Sequence, residues 1–340
     1  MSKRIEELVN IHGVSGFENQ VKKYLKDNFG AVDFIEDNVG GIATCLDSGK
    51  PGNNILVLAH MDEVGFMLKT IKDNGICKLT PIGGFVPASV VNSHVVAITE
   101  DLNEYEGIIL GESPHGNDAK AELKVENFNV DFGFESKEQA LECGFELGMQ
   151  VSFKNDYTKL ANNRVSSKAF DNRLGCAAIL DLFETFSGNL TAGKLYLAAS
   201  VQEEVGLRGA SPIINSLPDQ IDYALIIDVS PVKDLDEVTN GTIGKGTLIR
   251  VQDPRTILTV SEVHHLRKLA NENAIATQDF FSSGGTDANV IQITGSGVKT
   301  CALCVPGRNL HTQNSVVSLN DYDATIALAQ KYIESRLTNE

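Results

Sequence analysis

Basic residues are outnumbered in this sequence: 29 Lys and Arg stand against 45 Asp and Glu, a formal net charge of −16. That balance argues against a nucleic-acid partner, whose phosphates need a basic surface, and against an anionic membrane surface on the same ground. Long apolar runs are missing too, and none approaches the roughly 18 residues of a membrane span. Met1-Ser-Lys-Arg leads into the amphipathic Ile5-Glu-Glu-Leu rather than an apolar signal region, so a cytoplasmic location is expected. Cysteine is sparse. Six of them, at 45, 77, 143, 176, 301 and 304, read as free thiols of a reducing compartment. Cys301 and Cys304 form a C-x-x-C inside VKTCALCV, where a strand would turn them to opposite faces, which argues against a redox or zinc pair. Gly241-Thr-Ile-Gly-Lys245-Gly lacks phosphate-loop spacing, and Gly295-Ser-Gly is no nucleophile elbow. There is no internal repeat, low-complexity tract or long linker.

What is present is an ordinary globular composition, 42% hydrophobic and 22% charged, in a chain of 340 residues long enough for more than one domain. Residues 3–12 and 16–29 have helical periodicity, with Ser15 as the expected N-cap and Gly30 as the stop. Residues 55–62, ILVLAHMD, form an apolar run ending on polar groups. From 65 to about 157 the texture changes to short alternating segments punctuated by Gly, Asn and Asp, with one helix opened by the capping box Ser136-Lys-Glu-Gln139. Strand–helix alternation then resumes. Helices are expected at 168–186, 211–217, 261–273 and 321–337, and apolar strands at 195–201, 223–228 and 298–305. The expected fold is α/β, with a mostly parallel, mixed central sheet flanked by helices and an inserted small β-barrel. The expected domains are 1–64 plus 158–340, carrying the chemistry, and the insert 65–157.

The ends of the apolar strands carry the functional signal. One ends in His60-x-Asp62, one in Glu203-Glu204, one in Asp228, and one leads to His311; Asp171 opens the helix after the insert. In a mostly parallel sheet these ends share one edge, where α/β proteins bind ligands. Five carboxylates converging without cations would repel one another. Two divalent ions would neutralise them, one carboxylate bridging ions roughly 3.5–4 Å apart and another carrying protons. A mixed imidazole and carboxylate set suits zinc, cobalt or manganese. Neighbouring strand residues diverge, so Glu203 and Glu204 must take different jobs, and the spacing leaves open which takes which.

The motifs AHMDEVG (59–65), KAFDNR (168–173), QEEVGLRGA (202–210), IIDVS (226–230), GKG (244–246), SGGTDA (283–288) and RNLHT (308–312) together resemble the tetrahedral, TET-type aminopeptidases. That family includes glutamyl and deblocking aminopeptidases and cellulase-M-like proteins, and the likeness extends into the insert through SPHG (113–116). The resemblance implies a zinc-exopeptidase-like catalytic domain, a PDZ-like insert, and a dinuclear metallo-aminopeptidase using water activated between two ions. By position, His60, Asp171 and Asp228 would hold one ion, and Asp171, Glu204 and His311 the other. Glu203 would be general base and acid, and Asp62 would orient His60. The resemblance also implies peptide substrates and a homo-oligomer of dimers assembled into a dodecamer. Many members carry an acid where this chain has Ser315, which implies altered substrate preference or packing.

His12, His94 and the pair His264-His265 read as structure or surface, and His115 as a feature of fold or assembly. Gly284-Gly285 suits a backbone passing close to substrate, or a simple turn. The rival readings are an N-acyl amino acid deacylase, a glycosidase using Glu203 and Glu204, and a lapsed hydrolase serving as a binding module.

Overall fold

A computed structural model describes residues 2–111, 124, 128–154, 156–235 and 240–338; His115 and the SPHG stretch lie outside them. Four apolar strands run parallel in the order Lys194–Ser200, Asn54–His60, Tyr223–Pro231, Lys299–Arg308. They are the four expected from the sequence, and their interiors are almost wholly buried, as strands covered on both faces must be. Register matters more than order here. Ser200 pairs with His60, Ile226 with Leu58, and Asp228 with Cys304, so the polar strand ends emerge along one edge.

The sheet is mixed. Ile42–Asp47 adds to Lys194–Ser200 antiparallel, and Thr247–Gln252 and Ser315–Ser318 pair antiparallel with Lys299–Arg308. Helices Ser2–Asn10, Asn19–Phe29, Phe170–Phe186 and Leu319–Arg336 supply the larger core on one face. Phe170–Phe186 lays an apolar stripe of Leu174, Ala178, Leu182 and Phe186 into the core and is buried over most of its length. It also packs unusually close to its strand. A Cβ on Gly175 would lie 2.6 Å from the Ala59 Cβ and 2.4 Å from Asn172 Oδ1.

Strands between Gly65 and Phe153 close a six-stranded antiparallel barrel with a hydrophobic core of its own around Phe66, Leu79, Val95, Val130 and Val151. The Ser136 hydroxyl oxygen accepts from the Gln139 amide as its capping motif predicts. Ser15 departs from expectation. The second helix starts only at Asn19, and the Ser15 hydroxyl donates instead to Asp62 Oδ2 at 2.6 Å. A buried carboxylate offers a stronger, charge-assisted bond than a helix terminus four residues away. Cys301 and Cys304 fall in different clusters of the core, as opposite strand faces require.

A buried charge network ties the first helix to this frame. Lys168 and Arg173 are fully buried and both reach Glu63, Lys168 Nζ at 2.7 Å and Arg173 Nη2 at 3.3 Å. Arg173 also donates to the carbonyls of Leu8, Ile11, Gly13 and Met61, and Lys168 to that of Ile11. The first helix therefore ends on side chains drawn from the segment that carries Asp171.

His12 lies beside this network and bonds Ser152 of the barrel through Nδ1. Burial, with Lys168 and Arg173 adding to it against Glu63, pulls its pKa down to about 3. Below the ordinary histidine value of 6.5 the unfolded chain therefore takes up a proton that the folded chain refuses. His12 thus costs stability as pH falls through that window. Urea unfolding at about pH 7.5 and about pH 5 should show His12→Asn losing about 2 kcal/mol less than the parent. Equal losses would refute the shift.

Candidate metal centre and cleft

Each polar group at the sheet edge is set by a distinct local device. Asp171 sits at the start of its helix with non-helical φ/ψ of −82° and 103°, after Ala169 in the left-handed region, and the Asp171–Asn172 peptide is cis. Asn172 locks the turn: its Nδ2 donates to the Ile227 carbonyl at 2.8 Å and its Oδ1 accepts from Gly175 at 2.9 Å. That bond joins the Asp171 turn to the strand of Asp228. The Glu203 and Glu204 amides both donate to Asp62, at 3.0 and 3.1 Å, so Asp62 fixes the turn that carries them. His311 comes from the loop after the last parallel strand, and its Nδ1–H donates to the Gly84 carbonyl of the insert at 2.8 Å. That bond leaves Nε2 as the free nitrogen.

The resulting distances bring the predicted residues together. His60 Nε2 lies 3.2 Å from Asp171 Oδ1 and 3.6 Å from Asp228 Oδ1. His311 Nε2 lies 3.5 Å from Asp171 Oδ2 and 3.3 Å from Glu204 Oε2. Asp171 thus turns one oxygen to each histidine. His60 Nδ1 faces Asp62 Oδ1 at 3.3 Å without hydrogen-bond geometry, and Glu204 Oε1 is buried with no hydrogen-bond partner among the described residues. Donor atoms of His60, Glu203 and Asp228 lie within 4.8 Å of one another, as do those of His60, Asp171 and Glu204. By distance alone Glu203 fits either role.

Charge makes the same point. Burial opposes the charged form of His60, yet Asp171, Asp228 and Asp62 outweigh it and hold its pKa well above the usual range. His311 is likewise raised to about 10, with Asp171 and Glu204 overcoming burial. Burial pushes Glu204 up to about 8, with Asp171 adding to it, and burial raises Glu203 and Asp228 as well. Asp171, drawn down by both histidines against burial, is the exception. Without cations the cluster holds protons where imidazole lone pairs should meet positive charge. Divalent ions relieve that misfit and occupy the orphaned Glu204 oxygen, so these residues fit a metal.

The cluster forms one wall of a cleft of about 1010 Å³ that also takes in Phe85, Leu310, Arg255 and Gly284-Gly285. Gly285 approaches so closely that a Cβ there would sit 2.2 Å from Asn289 Oδ1. Ser315 is buried, donates to the Asn309 carbonyl at 3.1 Å, and lines a small void beside Asp171 and His311. The Gly244-Lys-Gly246 turn is held by Asp321, which accepts from both glycine amides. His94 and His264 are exposed, and His265 contacts Ser335; none of the three belongs to the groups of ligand atoms that come together among the described residues.

Sequence reasoning missed three contributors. Ser15, expected as an N-cap, and Gly84 support Asp62 and His311 from distant segments, contacts that no local spacing encodes. Asp287 is buried behind the cluster, where its Oδ2 accepts from the Ser200 hydroxyl at 2.5 Å. Its place in SGGTDA was a usable signal, since an acid there breaks a run of small residues.

The profile of the M42 glutamyl aminopeptidase family matches residues 40–328. The chain belongs to that family. It is similar to the glutamyl aminopeptidase of Lactococcus lactis, 30% identical over 344 residues, covering 99% of this chain and 95% of the relative. Among solved structures, an aminopeptidase of the archaeon Desulfurococcus kamchatkensis superposes with a TM-score of 0.92 at 31% identity, covering 98% of this chain and 94% of that one. The TET1 peptidase of Pyrococcus horikoshii superposes with a TM-score of 0.86 at 29% identity, covering 97% and 98%. Membership makes this M42 protein a metal-dependent aminopeptidase, a hydrolase of peptide bonds, as the motifs implied. Among the described residues no helix is long and apolar enough to cross a membrane.

Proposed function

We propose that this M42 aminopeptidase removes N-terminal residues from peptides with two divalent ions, zinc by preference and cobalt or manganese as substitutes. His60, Asp171 and Asp228 would hold one ion, and Asp171, Glu204 and His311 the other. The observation that carries this reading is Asp171, whose two oxygens face the two histidines. Bound ions supply Lewis acidity, lower the pKa of water and neutralise the carboxylates. Glu203 takes the proton of the attacking water and delivers it to the leaving amine nitrogen. Its raised pKa supports that double role, because a carboxyl poised nearer neutrality can both accept and return a proton. Asp62 holds the Glu203–Glu204 turn by its amides and orients the His60 ring from behind. Carboxylates at the cluster rim attract the protonated α-amine of the substrate, which restricts cleavage to the first peptide bond.

The division into residues 1–64 plus 158–340 and an insert 65–157 belongs to the same proposal, with the insert driving assembly in the cytoplasm. The Pyrococcus horikoshii TET1 peptidase assembles into a tetrahedron or a large octahedral shell. By that likeness this chain forms dimers that build a dodecamer.

Metal-stripped protein assayed on aminoacyl-p-nitroanilides and on N-acetyl amino acids, with zinc, cobalt or manganese added back, tests the chemistry. Activity should return only on free-amine substrates and should saturate near two ions per chain. Saturation at one ion removes the dinuclear reading, and turnover of N-acetyl amino acids alone replaces peptidase with deacylase.

A further inference from the structure

The proposed chemistry leaves one buried acid beside the Glu203 turn without a task. Glu18 stands at the N-cap of Asn19–Phe29, where a side-chain oxygen can accept from the free amides of the first helical turn. It makes no such bond. Its Oε1 accepts instead from the Gly16 amide at 2.8 Å and, across the chain, from the Gln202 amide at 3.1 Å. The residue is only 6% exposed, so its carboxylate has left water for these two bonds.

Gln202 is the residue that needs holding. Its φ of 55° lies in the left-handed region, and it immediately precedes Glu203. A residue with a side chain keeps that conformation only where its surroundings impose it. Downstream the turn closes on itself: the Gly206 and Leu207 amides donate to the Glu203 carbonyl at 3.0 and 2.8 Å, and the Arg208 amide to that of Gln202 at 3.1 Å. Upstream it is held from outside. Three consecutive amides meet buried carboxylates of other segments, Gln202 on Glu18, and Glu203 and Glu204 on Asp62. Ser15, from the same connector as Glu18, donates to that Asp62. The connector between the first two helices therefore braces the turn through both carboxylates.

We propose that Glu18 is a positioning residue for Glu203: it holds Gln202 in its left-handed conformation and so keeps the Glu203 carboxyl within reach of the attacking water and the leaving amine nitrogen. This rests on the reading of Glu203 as the proton carrier and deepens it. Glu204, on the same turn, would be held a second time by its ion, an anchor that a proton carrier lacks. Release of Gln202 therefore falls on proton transfer and spares metal content.

Three variants of the metal-loaded enzyme, assayed on Leu-p-nitroanilide, separate position from charge and from helix capping. Glu18→Asp keeps the charge and is the better N-cap, but falls a methylene short of Gln202. Glu18→Ala removes both bonds. Glu18→Gln gives up the charge yet keeps an oxygen able to accept both amides. Glu18→Asp and Glu18→Ala should lower kcat by about tenfold to hundredfold, the effect of a slightly misplaced reacting group, with KM and metal content retained. Glu18→Gln should recover most of that loss. Hydrogen–deuterium exchange over residues 200–208 reads the turn without turnover; it should quicken in Glu18→Asp and Glu18→Ala and stay parental in Glu18→Gln. In a Glu203→Gln background, Glu18→Asp should lower kcat no further, because the group it positions is already disabled. Parental kcat in Glu18→Asp, unchanged exchange in that variant, Glu18→Gln as impaired as Glu18→Ala, further loss in the double variant, or kcat falling in step with metal content each overturn the positioning role. If Glu203→Gln itself keeps parental kcat, the Glu203 reading has failed and this proposal falls with it. An inactive Glu203→Gln beside a fully active Glu18→Asp overturns this proposal alone.

Discussion

Glu203→Gln should lower kcat by about 10²–10⁴-fold while the protein keeps its full metal content. The amide is nearly isosteric with the carboxylate, so packing and the backbone bonds from residues 203 and 204 to Asp62 should survive. What it loses is the ability to accept a proton from water and return it to the amine. Glu203 also offers an oxygen within 4.8 Å of ligand atoms of His60 and Asp228, so metal content and activity are read together. Metal analysis and steady-state kinetics on one preparation separate the cases. Lost activity with retained metal fits a proton carrier. Metal lost in step with activity would make Glu203 a ligand, and near-wild-type kcat would remove it from the chemistry.

The largest stability effect should come from Glu63→Ala. Lys168 and Arg173 are both fully buried and share this carboxylate, which also accepts from the Gly13 amide at 3.1 Å. Burial draws the Lys168 pKa down to about 8, with Glu63 opposing that drop. Removing Glu63 strands two cations away from water, a change that costs about 3–5 kcal/mol. Urea unfolding should show that loss, and adding Lys168→Met should restore part of it by removing one of the stranded charges. A single variant within about 0.5 kcal/mol of the parent would show that the network is not a support of the fold. Because Arg173 also holds the Met61 carbonyl, next to His60, metal affinity should weaken along with stability.

Some of this protein was readable as a line of residues. Four apolar runs, three ending on His or acid and one leading to His311, stood out because a buried strand cannot carry such groups unless something receives them. The barrel showed itself as a change of texture, and the helix Phe170–Phe186 as an apolar stripe. The antiparallel additions were not legible. Ile42–Asp47 and Ser315–Ser318 are short and mixed in character, and they become strands because an open sheet edge or a neighbouring strand offers their backbone partners.

The sequence by itself determined which chemical groups stand at the strand ends, and that their number exceeds what water-free burial tolerates without cations. Only the tertiary structure decided which oxygen meets which nitrogen. His60 and Asp171 are 111 residues apart, and His311 and the Gly84 carbonyl 227. Their contacts depend on strand order, register and the turn locked by Asn172, and spacing along a chain encodes none of these. For the same reason the Glu203–Glu204 pair was divisible in sequence only by alternation. Its actual frame, two amides on one buried aspartate that Ser15 also holds, exists only once three segments of chain have met.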